Sequence, residues 1–484
     1  MLRRWAPLLA GALSLGLMGL APRPAPKGPP NIIVILADDL GTPDISAYGY
    51  RSAISTPNID QLARRGVRFT RGYVSASVCS PSRAGLLSGQ YQQRHGFEYL
   101  TPENDTDRGS HGLAPDQRLL PEPLKKAGYH TVAIGKWHLG NSPDRLPTAR
   151  GFDEFYGFLG GETAYIDSRT PGATSVSVPY VGERSFTRKV ASQVVGRWRA
   201  GSPEKTLINN DDRYLTDEFT DEAVRAITDR PKDRPFFMYL AYNAPHAPMQ
   251  ATAKYMARFP NEKDPVRRTY AAMISALDDG VGRVLGELDR QGVRDNTIVV
   301  FLADNGAATY LGISDCETLA GGKLSAYEGG ARVPYIVSWP ARWPKGQVDT
   351  RNVSSLDIYA TAISAAGIPS DKPLDGVDLT PLMQPDRRRE VVHDALFWRI
   401  GPEYAALSGD WKLFSNTRPG NWPWLFDLAS DPRETQSVLF RRRDIVGSLK
   451  GKYDAWARQM KPSSWAPKET LQVMECGRVV FHDQ

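Results

Sequence analysis

Asn31-Ile32-Ile33-Val34-Ile35-Leu36-Ala37 is an unbroken apolar, largely β-branched run, and it stops abruptly at Asp38-Asp39-Leu40-Gly41. A strand that is apolar at every position, not at every second one, suits burial on both faces, as in a parallel sheet covered by helices. In such folds sites lie beyond the carboxyl ends of the strands. One Asp there would serve a solvated turn, whereas two adjacent acids favour a site. The pattern recurs at Asn296-Thr297-Ile298-Val299-Val300-Phe301-Leu302-Ala303, which ends in Asp304-Asn305-Gly306. Residues 130–135 lead into Lys136-Trp137-His138, and residues 235–242 into Asn243-Ala244-Pro245-His246-Ala247-Pro248. A fifth run, 335–340, follows a Gly-rich connection that carries Gly321-Gly322-Lys323 and Glu328-Gly329-Gly330-Ala331-Arg332. Helices are predicted over 59–66, 122–127, 217–229 and 270–291, with a strand-like piece at 67–69. The long helix has Ile274, Leu277, Val281, Val284 and Leu288 at helical spacing. Alternating buried strands and helices argue for one α/β sheet domain covered on both faces. Residues 151–161, rich in Gly and aromatics, read as a loop-like packing segment, and 165–203 as surface excursions.

Past residue 382 the texture changes. Gln384-Pro385-Asp386-Arg387-Arg388-Arg389 interrupts the pattern, and short strand-like pieces follow at 395–399, 404–407, 411–414 and 424–427, separated by turn residues. That is the pattern of an antiparallel meander, with a closing helix over 439–460. The expected organisation is therefore 1–30 as leader and tether, 31–385 as the main α/β domain, and 386–484 as a smaller C-terminal domain with an antiparallel sheet. In the leader, Arg3-Arg4 precede an apolar run from 5 to 21 and a Pro-rich tether. This is an export signal by pattern, with an uncleaved membrane anchor as the alternative. The expected location is periplasmic or secreted. A net charge of +6 over 484 residues, with no dense basic stripe, argues against nucleic acid as a partner.

Cys79-Ser80-Pro81-Ser82-Arg83 precedes Ala84-Gly85-Leu86-Leu87-Ser88-Gly89. Pro81 disfavours a helical conformation at Ser80, and the following residues favour a helix, so Cys79 is expected at a helix N-terminus. Free N–H groups and the macrodipole there stabilise a sulfur nucleophile or an oxyanion, and Arg83 adds a cation. The same residues also suit a buried cysteine ahead of a helix, and both readings stand at this point. Cys79 is one of three cysteines; Cys316 and Cys476 are free to pair or to stay reduced.

Asp38, Asp39, Asp304 and the side-chain oxygen of Asn305 form an all-oxygen set with three carboxylates. It suits a hard divalent cation, Ca²⁺ or Mg²⁺, and not zinc. Lys136 and His138, two apart on an extended segment, would face the same side. Arg83, Lys136, His138, His246 and Lys323 on separate loops make sense around a bound anion.

Cys-x-Pro-Ser-Arg followed by Ser-Gly resembles the signature of the type I sulfatases, and the likeness extends over nearly the whole chain after residue 30. Matching blocks include Gly135-Lys136-Trp137-His138, Asn243-Ala244-Pro245-His246, Asp304-Asn305-Gly306 and Glu328-Gly329-Gly330-Ala331-Arg332-Val333-Pro334. The layout is similar to the arylsulfatase B and N-acetylgalactosamine-6-sulfatase branch; Ala303 departs from the Ser common before Asp-Asn-Gly. The resemblance implies an alkaline-phosphatase-like mixed sheet and conversion of Cys79 by a separate maturase, a formylglycine-generating enzyme, to 3-oxoalanine (Cα-formylglycine). It also implies Ca²⁺, with Mg²⁺ the alternative, held by Asp38, Asp39, Asp304, Asn305 and the modified residue 79. By the same resemblance, one hydroxyl of the hydrated aldehyde attacks the sulfur of a sulfate ester, and loss of a proton from the other releases sulfate. His138 would be the base, His246 and Lys323 would stabilise the leaving oxygen, and Arg83 and Lys136 would hold the diol. The expected substrate is a sulfated saccharide or an aryl sulfate.

Two rivals remain. The same scaffold supports phosphate or phosphonate monoester hydrolysis, for which a second carboxylate cluster would speak, and the sequence has none. A saccharide-binding protein without turnover would be expected to lack Cys79, His138 or Lys323, and all three are present.

Overall fold

The computed structural model describes residues 28–51, 54–101, 111–178, 194–202, 206–208, 212–314, 317–387, 389–467, 470–475 and 478–483. The export signal and most of the tether lie outside the described residues, as do Cys316 and Cys476.

Asn31–Ala37 is a strand buried at every residue. It pairs in parallel with Thr297–Ala303 on one side and with Phe236–Ala241 on the other. Its side chains divide by parity. Ile33 and Ile35 pack with Leu62, Phe219, Ile274 and Leu277, from helices Pro57–Arg64, Leu215–Asp229 and Pro265–Arg290. Ile32, Val34 and Leu36 pack in a second layer with Leu86, Leu87, Leu124 and Ile358, from helices Cys79–Ser88, Pro121–Lys126 and Asp357–Ala365. A strand sealed on both faces has no polar side, which is why its sequence is apolar throughout.

The sheet has ten strands, in the order Gln347–Ser354, Val67–Tyr73, Arg332–Ser338, Thr297–Ala303, Asn31–Ala37, Phe236–Ala241, His130–Lys136, Glu154–Phe158, Val195–Arg199, Thr206–Ile208. It is mixed. Arg332–Ser338 runs antiparallel to both its neighbours, and Val195–Arg199 antiparallel to Glu154–Phe158. Two segments differ from the sequence-based expectation. Residues 151–161 contain the strand Glu154–Phe158, parallel to His130–Lys136, with Phe155, Tyr156 and Phe158 buried. Glycine hid it, and close approach explains the glycine: a Cβ at Gly157 would lie 1.9 Å from the carbonyl oxygen of Gly135. Residues 165–203 contribute Val195–Arg199 to the sheet and Ala173–Val176 to a hairpin-like pair with Met249–Thr252. The long helix starts earlier than its apolar spacing predicts, because Asp264 caps it by accepting from Val266 N at 2.8 Å and Pro265 opens it.

Beyond the main body, Leu396–Ile400, Glu403–Ser408, Trp411–Asn416 and Trp424–Asp427 form the expected antiparallel meander, with helix Arg443–Ala457 against it. One face, with Trp398, Leu407 and Phe414, shares a core with Tyr73, Tyr327 and Ala331 of the main body. The other, with Tyr404, Leu413 and Leu425, packs on Leu449, Tyr453 and Trp456 of the helix. A further hairpin, Thr470–Glu475 with Arg478–Asp483, has no counterpart in the sequence reading. Among the described residues no helix is long and apolar enough to cross a membrane.

Candidate active site

The two acid-tipped strands are paired without a slip, from Asn31 opposite Thr297 to Ala37 opposite Ala303. They therefore end level, and Asp38-Asp39 and Asp304-Asn305 emerge side by side. Asp304 N donates to Ala37 O at 3.0 Å, and Asp39 N to Asp304 Oδ1 at 3.3 Å. Phe236–Ala241 and His130–Lys136 end at the same edge, with Gly135 opposite Ala241. Gly135 has φ +100°, and a Cβ there would meet Ala241 O at 1.9 Å, so only glycine lets this strand turn out at that point.

Cys79 is the first residue of helix Cys79–Ser88, preceded by an extended Val78 with no side-chain cap. Its Sγ lies 3.8 Å from Asp39 Oδ1. Burial pushes the thiol pKa up, further than the charges of Lys136 and Lys323 can bring it down. The sulfur is thus a neutral thiol among carboxylates, neither a nucleophile at neutral pH nor a ligand matched to a hard ion.

Arg83 Nε donates to Asp304 Oδ2 at 2.8 Å and Nη1 to Lys136 O at 2.9 Å. Lys136 Nζ donates to Asp38 Oδ2 at 2.7 Å, and Lys323 Nζ to Asp39 Oδ2 at 2.9 Å. Burial opposes ionisation of Asp38 and Asp39. Lys136 and His246 outweigh it at Asp38, and Lys323 and His246 at Asp39, so both carboxyls fall below the usual range. At Asp304, burial and the neighbouring charge of Asp38 prevail and its pKa rises. His138 is buried among Lys136, Arg83, Lys323 and His246; burial first, then those charges, hold its imidazole neutral. His246 Nδ1 donates to Ala247 O at 2.6 Å, which leaves Nε2 toward Asp39 Oδ2 at 3.6 Å.

One donor atom each from Asp38, Asp39, Cys79 and His246 lies within 4.8 Å of the others. Asp38 Oδ1 and Asn305 Oδ1 are buried and accept no hydrogen bond from the protein. Asn305 is oriented by Nδ2, which donates to Asp39 Oδ1 and Gly306 O, both at 2.8 Å. Carboxylate and carboxamide oxygens with free lone pairs fit a hard divalent cation. Such an ion would also relieve the repulsion that raises Asp304.

Every residue singled out from the sequence is at this edge: Asp38, Asp39, Cys79, Arg83, Lys136, His138, His246, Asp304, Asn305 and Lys323 are buried or nearly so. Two arrive differently from expectation. His138 has φ +59°, so Lys136 and His138 meet the site through a left-handed turn and not along an extended segment. His246 stands inside the tight donor cluster, while Asp304 is tied to Arg83. The sequence reading passed over Asn243, whose amide oxygen and nitrogen are both buried without a partner. Its position directly after a buried strand was the signal available, the same that marked Asp38 and Asp304.

The sulfatase family model matches residues 30–368, and the model described as N-sulphoglucosamine sulphohydrolase, C-terminal, matches residues 322–455. The N-acetylgalactosamine-6-sulfatase of Rattus norvegicus is 34% identical over 423 residues, 84% of this chain and 75% of its own. The crystal structure of Ps i-CgsB in complex with k-i-k-neocarrahexaose is similar with a TM-score of 0.78 and 33% identity, over 90% of this chain and 94% of that one. The phosphonate monoester hydrolase of Agrobacterium radiobacter shares the fold, with a TM-score of 0.62 at 20% identity over 89% of this chain and 96% of that one. The extent of these matches and the site geometry agree: the chain belongs to the type I sulfatases, formylglycine-dependent hydrolases of sulfuric esters, close to the N-acetylgalactosamine-6-sulfatase and arylsulfatase B branch.

Proposed function

We propose that the protein hydrolyses sulfate esters of saccharides, with residue 79 as formylglycine and Ca²⁺ held by Asp38, Asp39, Asp304, Asn305 and residue 79. The observation that carries this reading is the convergence of Asp38, Asp39 and Asp304 with Arg83, Lys136 and Lys323 at the first residue of a helix. The acids and fixed cations offset one another, so a divalent ion leaves the site positive and fit for an anionic ester. When bound, the ion supplies a Lewis acid and lowers the pKa of a coordinated hydroxyl. In hydrated form residue 79 supplies two hydroxyls, where a thiol has none.

The chain's own residues do the rest. Arg83 and Lys136 lock the strand-end acids and keep positive charge beside residue 79. His138, held neutral and with Nδ1 unpaired, takes a proton there. His246 Nε2 and Lys323 Nζ both reach Asp39 Oδ2, at 3.6 and 2.9 Å, and so stand together to stabilise the oxygen that departs. General acid–base groups of this kind contribute roughly 10² to 10⁴-fold each. The saccharide class is supported by two relatives, an N-acetylgalactosamine-6-sulfatase and a protein whose crystal structure is a complex with a neocarrahexaose. The N-terminal pattern of residues 1–30 supports export, and the cysteine signature supports a maturase as partner.

Sulfate release from sulfated saccharides and from para-nitrophenyl sulfate, beside para-nitrophenyl phosphate, tests the reading. Sulfate esters are expected to turn over faster. Faster phosphate turnover, or tight saccharide binding with no turnover, would replace it. The mass of the peptide carrying residue 79, from active protein, should show loss of the sulfur and two hydrogens and gain of one oxygen, as an aldehyde in place of the thiol requires.

A further inference from the structure

Lys323 lies on a loop with no sheet or long helix of its own. Its backbone N donates to Ala307 O at 2.9 Å, and Leu324 N to Ser77 O at 2.7 Å. That ties the loop to both site elements, after Asn305 and before Cys79. Leu324 has φ +72°, a conformation that is unfavourable for a non-glycine residue and persists only where its surroundings impose it. Among the described residues the non-glycine residues at positive φ are Asp39, His138, Leu324 and Glu434. Three are at the site; the fourth is far from it in sequence, on the C-terminal side.

Glu434 explains its own presence there. Its Oε2 accepts from Glu328 N at 2.7 Å, and Oε1 lies 3.0 Å from Lys412 Nζ. Lys412 Nζ also donates to Glu328 Oε1 at 2.9 Å, and Tyr73 OH to Glu328 Oε2 at 3.0 Å. Closer to Lys323, Glu403 Oε1 accepts from Ala326 N at 2.6 Å. Tyr327, between those two amides, stacks on Phe414 of the C-terminal sheet at 4.1 Å between ring centroids. Ala326 lies in irregular backbone and Glu328 is the first residue of the short helix Glu328–Ala331, so neither amide has a ladder or intrahelical acceptor of its own. A buried carboxylate on a backbone N–H is a short, charge-assisted bond with defined direction. Both come from the C-terminal meander and its turns, and both fall within a few residues of Lys323. The room to shift is small: a Cβ on Gly306 would sit 1.7 Å from Gly329 O.

We propose that Glu403 and the Lys412–Glu434 pair are positioning residues for Lys323: the C-terminal sheet holds the ammonium at the place where the leaving oxygen develops charge. They act through the backbone of residues 324–328, by way of the amides of residues 326 and 328. The proposal rests on the sulfate-ester reading and on Lys323 acting at the leaving oxygen.

The test is leaving-group dependence. A good phenolate leaving group needs little help from Lys323, while a sugar or alkyl alkoxide needs much. In Glu403→Leu, kcat/KM on sugar sulfates should fall about tenfold further than on para-nitrophenyl sulfate, part of the roughly 10² to 10⁴-fold that a general-acid group contributes. Glu403→Gln keeps an acceptor oxygen and should restore near-normal selectivity. In a Lys323→Ala background, Glu403→Leu should add no further selectivity. Equal loss on all leaving groups, a Gln variant no better than Leu, or selectivity that persists without Lys323 would overturn the proposal. If Glu403→Leu does not fold, hydrogen exchange on the unaltered protein decides. The amides of residues 326 and 328 should be strongly protected, and exchange at the pace of exposed loops would overturn it. Wild-type turnover of para-nitrophenyl sulfate tests the underlying reading separately, since it does not depend on the ratio between leaving groups.

Discussion

The cluster at Asp38 and the cluster at Glu328 are both sealed from solvent, and both set acids against cations, but their hydrogen bonds are distributed differently. At Glu328 three of the four carboxylate oxygens of Glu328 and Glu434 accept hydrogen bonds, from Lys412, Tyr73 and the Glu328 amide, and the fourth, Glu434 Oε1, is held in an ion pair with Lys412 Nζ at 3.0 Å. At Asp38 the ion pairs are just as short, yet Asp38 Oδ1, Asn305 Oδ1, His138 Nδ1 and both amide atoms of Asn243 are left over. A strut satisfies its polar atoms internally, because an unpaired buried group is destabilising. A reaction site keeps some free for what it binds. The difference separates two buried charge networks that composition alone would treat as equivalent.

The largest expected effect is on turnover. Cys79→Ala should lower kcat/KM by on the order of 10⁵-fold or more, as removal of a nucleophile does elsewhere, while the melting temperature barely moves. Retained activity would erase the contrast, since residue 79 would then be another packed core position. Next is the strut. Lys412→Met leaves two buried carboxylates facing each other and should cost about 3–5 kcal/mol in urea unfolding. A smaller loss would mean the seam is not a closed network. Third, Ca²⁺ at about a hundredfold over its dissociation constant should stabilise the protein by about 2.7 kcal/mol, reversed by a chelator and abolished in Asp304→Ala. The same ion should do nothing for stability through the seam, where Lys412 already balances the carboxylates.

The smallest effect is a pH slope. Burial pushes Glu434 up to about 7 from its ordinary 4.5, with Lys412 opposing. A carboxyl raised on folding contributes stability that is full below the unfolded pKa and lost as pH rises through the folded one. Unfolding free energy should therefore decline between about pH 4.5 and 7, and Glu434→Gln should flatten that decline. Urea midpoints across that window measure it. Glu328, held low chiefly by Lys412 against its burial, works in the other direction and keeps the net slope modest.

Asp38, Asp39, Asp304 and Asn305 were legible because a strand covered on both faces can carry polarity only where it ends. The helix at Cys79 was legible from the residues behind Pro81, but it begins at Cys79 itself and takes in Ser80, which Pro81 was expected to hold outside it, because a proline fits within a helix's first turn. Other features had no local mark. Nothing in the local sequence marks Glu403 and Lys412, yet both are buried, and Glu403 meets a backbone amide 77 positions away in the chain. Glu434 meets one 106 positions away. The strand Glu154–Phe158 was missed because its glycine, placed there for contact with Gly135, imitates a loop. His138 was expected on an extended segment, and the left-handed turn that presents it depends on tertiary packing.

The even pairing from Asn31 to Ala37 against Thr297 to Ala303 has one more consequence. Asp39 and Asn305 are 266 positions apart in the chain, but their spacing is set by a ladder of backbone bonds and not by side chains that can repack. A chain whose halves dock one rung out of step would present its acids at mismatched heights and to opposite sides. Tight uptake of a divalent cation then becomes an assay of correct assembly: a sample that is compact but misaligned should be recognisable by its indifference to that ion before any substrate is added.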